Sequence, residues 1–197
     1  MTGLAEVAFG LLLGFSLAAP PGPMNALIAA RATRSYSAGF LTACGALTAD
    51  AVLGALVFGL ESLVDLRPLI AYVYVSGAVT MSVMGYLLLR ERTTPGERPA
   101  PKLGTYTQSL GVGLSNPFQI VWWLTAGVAF AYVGGAWLFA GLFGAIAIWI
   151  VIFPWAIHRG SRRYPSVRPW IGAAAAALMF GFAIYFAAEA TISFRGW

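Results

Sequence analysis

Cysteine and histidine each occur once in this chain, as Cys44 and His158. A single thiol excludes a disulfide framework, a CxxC redox pair and a thiolate metal cluster. Cys44 is therefore expected to be a small buried hydrophobe. A single histidine, set among basic residues, excludes an HExxH metalloprotease site and a Ser–His dyad, so an enzyme is not expected. Charge is scarce as well. The 197 residues are 10% charged and 59% hydrophobic, with a mean hydropathy of +0.78. A soluble domain has about 25% charged and about 45–50% apolar residues, so a water-facing surface cannot be built from this sequence.

Long apolar runs take the place of that surface. A membrane span needs about 20 mainly apolar residues, and candidates fall at roughly 4–30, 38–60, 68–90, 106–131, 134–157 and 168–190. The connections are short, and only 91–105 reads as a true loop, rich in proline and charge. The expected fold is all-α: a polytopic membrane protein of six transmembrane helices forming a single domain over 1–197. Residues 4–19 imitate a secretory signal peptide, but no Lys or Arg precedes them and Pro20 follows Ala18-Ala19 where cleavage would fall.

The net charge of +5 does not point to nucleic acid, because the basic residues are distributed by side. Arg31, Arg34, Arg90, Arg92, Arg98, Lys102, Arg159, Arg162, Arg163 and Arg168 follow spans one, three and five, while only Arg67 and Arg195 fall on the other side. Ten against two, under the positive-inside rule, puts the basic loops in the cytoplasm and both termini outside. The plasma membrane is the expected location.

A shift of 96 or 97 residues lays Pro20-Pro21 on Pro117, Gly39 on Gly135, Gly45 on Gly141 and Gly85 on Gly181. Each half, about 1–95 and 96–197, then holds three spans. An odd number forces the second half upside down relative to the first, the 3+3 inverted repeat of many secondary transporters. The first span of each half is broken at proline. In the stretch "SLAAPPGPMN", Pro20, Pro21 and Pro23 cannot donate backbone hydrogen bonds and so orphan carbonyls near Ser16 to Ala19. Such backbone is tolerated at membrane depth only where it is buried in protein or lines a polar cavity. Pro23 then opens a new half-helix with free N–H groups at its start. In "LSNPFQ", Asn116 is a candidate N-cap with Pro117 at the first helical position. Two such helix starts beside freed carbonyls make a site for an anion next to a cation, as on one zwitterionic molecule.

Asp50, in "TACGALTADAVLGAL", stands about twelve residues into its span, about 18 Å deep at 1.5 Å per residue. Placing Asp there costs about 2.5–3.5 kcal/mol, so it is expected to face the protein interior and to act. Gly39, Ala43, Ala46 and Gly54 share its face, a small-residue stripe that admits close packing. No cationic side chain lies at similar depth, so its partner is expected to be a helix end, a proton or a cationic solute. Trp122 and Trp123, just past the second break, are candidate pocket residues. Trp149, Trp155, Trp170 and His158 are expected at interfaces or in packing.

With these residues in view, the chain resembles the lysine-exporter (LysE/RhtB) superfamily of small amino-acid exporters. "LLLGFSLAAPPGPMN" is similar to the family's first-span motif, "GALTAD" to its second-span pattern and "LSNPFQIVWW" to its fourth-span Asn-Pro motif. The doubled Pro20-Pro21 and the Phe118-Gln119 pair depart from its best-known members. The resemblance spans the whole chain. It implies gradient-driven export of amino acids or similar zwitterionic or cationic metabolites, with an inorganic cation as the rival solute. It assigns function to Pro21, Gly22, Pro23, Asn25, Asp50, Asn116 and Pro117, to which the residues themselves add Trp122. Asp50 is the candidate for proton or ion coupling. No cofactor and no metal site are expected. The expected partners are a small-molecule solute and membrane lipid, not nucleic acid, with a homodimer as the one further assembly allowed.

Overall fold

A computed structural model describes residues 3–60, 70–93, 102–124 and 135–195 of the chain. All regular structure among them is helical: α1 Gly3–Ala18, α2 Pro23–Ala32, α3 Tyr36–Leu60, α4 Ile70–Thr93, α5 Lys102–Leu114, α6 Pro117–Trp122, α7 Ala136–Arg163 and α8 Arg168–Arg195. A single 3₁₀ turn, Pro165–Val167, joins the last two.

Stretches within α3, α4 and α7, together with Pro165–Phe194, are long and apolar enough to cross a membrane. The pair α1 and α2 passes the same test as one element bent by 77°. This bend is the break expected at Pro20–Pro23. The fourth expected span, 106–131, is represented by α5 and α6, and its last residues lie outside the described ones. The expected loop 91–105 needs correction, since α4 continues to Thr93 and α5 already begins at Lys102. Likewise α7 runs past the expected end at 157 to Arg163, taking Arg159, Arg162 and Arg163 into its last turns.

The helices pair in a fixed pattern: α1 lies along α7, α3 along α5 and α4 along α8, with α2 wedged against α3, α7 and α8. Exchanging α1 with α5, α3 with α7 and α4 with α8 leaves the three main pairings unchanged. The two glycines matched in the sequence, Gly45 and Gly141, sit at equivalent crossings. A Cβ on Gly141 would collide with Val7 O and come within 3.0 Å of Leu11 N. A Cβ on Gly45 would lie 2.6 Å from Tyr106 O and 2.9 Å from Leu110 N. Each crossing thus sets a glycine against residues i and i+4 of its neighbour, so the backbones touch. At the breaks, however, the register changes. Pro23 and Pro117 each open a half-helix, so Pro117 corresponds to Pro23, 94 residues earlier, and not to Pro20-Pro21. The cause is unequal elbow length, with residues 19–22 between α1 and α2 but only 115–116 between α5 and α6.

Two apolar clusters flank α2. Leu27 joins Met81, Met84, Met179 and Phe186 of α4 and α8, whereas Ile28 joins Leu53, Trp123, Leu142 and Ile146 on the other side. The last turn of α2 is fixed by polar groups. Arg31, counted above as a loop charge, is only 9% exposed. Its Nη1 donates to Thr42 Oγ1 at 3.3 Å and Thr105 O at 3.1 Å, and its Nη2 donates to Gln108 Oε1, tying α2 to α3 and α5. His158 Nδ1 lies 3.0 Å from Ala32 O, so this histidine meets the end of α2 and does more than sit at an interface.

Candidate functional site

The proline break orphans carbonyls at the end of α1 and in the elbow, and the chain supplies its own donor for one of each. Asn25, in the first turn of α2, donates from Nδ2 to Ala18 O at 2.6 Å and to Pro20 O at 2.9 Å. This bond pair folds the elbow back on α2. Gly22, the residue before α2, offers no side chain to cap it, so the first N–H groups of this ten-residue helix stay uncapped by side chains.

At the second break Asn116 behaves as an N-cap, accepting from Phe118 N at 3.2 Å through Oδ1. Its Nδ2 donates to Gln119 Oε1 at 3.2 Å. Gln119 in turn donates from Nε2 to Asp50 Oδ1 at 2.9 Å, and Trp123 Nε1 donates to the same oxygen at 3.0 Å. Gln119 in α6 and Trp123, the helix's C-cap in helical conformation, are four residues apart and share one face, so both donors are presented together. Room for them comes from glycine. A Cβ on Gly54 would lie 2.9 Å from the Trp123 ring, and one on Gly113 would lie 3.4 Å from Gln119 Oε1.

Asp50 is 6% exposed near the middle of α3. Among the described residues no donor is assigned to Oδ2, which is left for the cavity that Asp50 lines. The sequence-based expectation of a helix end, proton or cationic solute as sole partner is therefore corrected: two neutral side-chain donors hold one of the two oxygens.

That cavity, of about 60 Å³, brings both breaks to Asp50. Its walls include Pro20, Gly22, Pro23, Met24 and Asn25 from the first break, and Asn116, Phe118 and Gln119 from the second. Ala46, Ile146 and Trp149 are among its other wall residues. No Lys, Arg or His stands among the lining residues. Of the expected site residues, Gly22, Pro23, Asn25, Asp50 and Asn116 meet here. Pro21 lines a second cavity instead. Pro117 is buried against α4, where a Cβ on Gly77 would collide with its ring. Trp122 lines neither cavity and packs edge-on against Trp123, with ring centroids 5.3 Å apart.

Gln119, Trp123 and Trp149 carry contacts that the sequence reading did not assign to them. The signal for Gln119 was present. Asn116 and Gln119 stand at N-cap and N3, the spacing of a capping box, and Trp123 lies one turn on from Gln119. Trp149 had no local signal, because its partner Asn25 lies 124 residues away in the chain.

The geometry is that of a small, partly open cavity beside the middle of α3, framed by interrupted backbone and one carboxylate. No curated protein and no solved structure matches the chain. The family described as LysE type translocator matches residues 15–190, from inside the first broken helix to near the end of α8. By that match over most of its length the chain belongs to the LysE type translocator family and is a multi-pass membrane translocator.

Proposed function

We propose that this translocator exports amino acids or similar small zwitterionic or cationic metabolites from the cytoplasm across the plasma membrane, coupled to a proton or ion gradient. The observation that carries the reading is the single cavity in which both helix breaks meet Asp50. A solute carboxylate there meets the uncapped N–H groups at the start of α2, which carry the positive end of its dipole. A solute ammonium meets Oδ2 of Asp50, the oxygen not engaged by Gln119 and Trp123. A carboxylate that exchanges a proton or cation for the solute is the minimum equipment for coupling, and a charged residue at this depth is expensive without such a use.

In this reading the two halves form a 3+3 inverted repeat, which the exchange-symmetric pairing of α1–α7 and α3–α5 supports. Both termini face outside by the charge bias, and a homodimer is the one further assembly proposed. The rival solute, an inorganic divalent cation, normally takes six or more oxygen ligands. Among the described residues lining the cavity, Asp50 supplies the sole carboxylate. The test is efflux from proteoliposomes loaded in turn with labelled amino acids and with divalent cations, under an imposed pH gradient. Export of an amino acid supports the reading, whereas export of a cation alone replaces it with the rival.

A further inference from the structure

A second cavity, of about 360 Å³, lies beside the Asp50 cavity between α2, α7 and α8. It is the more open of the two and its lining is mostly apolar, with Ala29, Phe153, Ile157, Ile171 and Leu178 extending it toward the helix ends that carry His158 and Arg168. Gly22, Asn25 and Trp149 belong to the walls of both cavities, so these three residues form the partition between them. Gly22 has no side chain. The partition is therefore the Asn25 amide and the Trp149 indole, joined by a hydrogen bond from Trp149 Nε1 to Asn25 Oδ1 at 3.1 Å.

The two halves of this partition differ in how firmly they are held. Asn25 is fixed at its other end by Ala18 O and Pro20 O, so its amide cannot swing away without reopening the elbow. Trp149 is held by its one hydrogen bond and by a stack on Phe153, one turn further along α7, with ring centroids 5.0 Å apart and planes 9° apart. Phe153 itself faces the larger cavity, which leaves space beside the indole on that side. The Asp50 cavity is far below the about 300–1,000 Å³ of an ordinary small-molecule site. Joined to the larger chamber, it reaches that range.

We propose that Trp149 is the gate between an apolar antechamber and the Asp50 cavity, latched shut by Asn25, and that the solute reaches Asp50 by passing this indole. The gate takes its functional meaning from the export reading, but its test does not depend on transport. Cys44 is replaced by Ala, and Ala46, which lines the Asp50 cavity but not the antechamber, is replaced by Cys. A membrane-impermeant maleimide is then applied to right-side-out and to inverted vesicles, with Ala174→Cys in the antechamber marking the face from which that chamber opens. The Trp149→Ala variant is expected to label at Ala46→Cys from the face that labels Ala174→Cys, where the parent with native Trp149 reacts slowly. Trp149→Phe keeps an aromatic ring to stack on Phe153 but loses the indole donor and some of the ring's bulk, and it guards against a folding failure of the alanine variant. It is expected to speed labelling from that face at least roughly two- to tenfold, the worth of the lost hydrogen bond alone. Parental labelling rates from that face in folded Trp149→Phe and Trp149→Ala proteins overturn the gate. Accelerated labelling in a protein that exports nothing keeps the gate and rejects the export reading.

Discussion

Gln119 on α6 reaches across to α3 and donates to Asp50 Oδ1 at 2.9 Å, so the helix that follows the second break holds the carboxylate that faces the first. Asp50→Asn preserves an acceptor for Gln119 and Trp123 but cannot change charge. It also removes a buried carboxylate that costs about 2.5–3.5 kcal/mol at this depth. The variant is expected to unfold at least as hard as the parent while losing gradient-driven efflux at every external pH. Thermal unfolding in detergent and efflux of labelled amino acids are the two measurements. Efflux with the parent's pH dependence would remove Asp50 from the coupling role.

Tight backbone crossings give a second expectation. Gly45→Ala sets a methyl 2.6 Å from Tyr106 O, and Gly141→Ala drives one into Val7 O. Neither carbonyl can rotate away as a side chain could, so each substitution is expected to destabilise the fold by about 1–3 kcal/mol. Gly144→Ala, on the same helix as Gly141 with nothing within 4 Å of the new methyl, is expected to stabilise by up to about 1 kcal/mol. Equilibrium unfolding of the three variants decides the matter. Equal effects at Gly141 and Gly144 would mean that the α1–α7 crossing is looser than described.

Orientation in the membrane follows from charge and is checked by labelling. In a Cys44→Ala background, Arg162→Cys sits at the basic end of α7 and Phe194→Cys near the end of α8, both at exposed positions. An impermeant thiol reagent on intact cells is expected to reach position 194 and not position 162. The reverse pattern would place the termini in the cytoplasm against a ten-to-two charge bias.

Much of this molecule was legible in the sequence because its strongest signals are local. Apolar runs located α3, α4, α7 and α8 to within a few residues at most ends, and prolines located both elbows. Asp50 stood out by cost alone. What the sequence hid is long-range. Asn25 was chosen for its place in a proline motif, but its bonds to Ala18 O and to Trp149 depend on how the elbow closes and how α7 lies against it. Arg31 looked like a loop charge because periodicity cannot show that Thr42, Thr105 and Gln108 converge on it. Trp122 and Trp123 both lie about one turn from Gln119, and only the packing of α6 on α3 shows that Trp123 is the one that bonds Asp50. The loop boundary at 102 was missed because proline and charge outweighed the weak amphipathic pattern that begins at Lys102.

The last expectation concerns the link from Asn116 through Gln119 to Asp50. Gln119→Leu takes one of two donors from Asp50 Oδ1 and leaves Asn116 Nδ2 without its acceptor, in a region where both partners are buried. Removing one partner of a buried hydrogen bond costs about 1–3 kcal/mol, so the folded protein should survive with a lower unfolding midpoint. Efflux should fall strongly, because Asp50 then keeps only Trp123 to fix its orientation toward the cavity. The cost should also depend on what stands at position 50. In an Asp50→Ala background the bond is already gone, so adding Gln119→Leu should cost less than it does in the parent. Residues in contact show coupling of about 0.5–3 kcal/mol, whereas independent sites add to within about 0.3–0.5 kcal/mol. A double-mutant cycle on unfolding free energy measures this directly. Strict additivity, with efflux untouched by Gln119→Leu, would mean that the contact between α6 and α3 is incidental to the site.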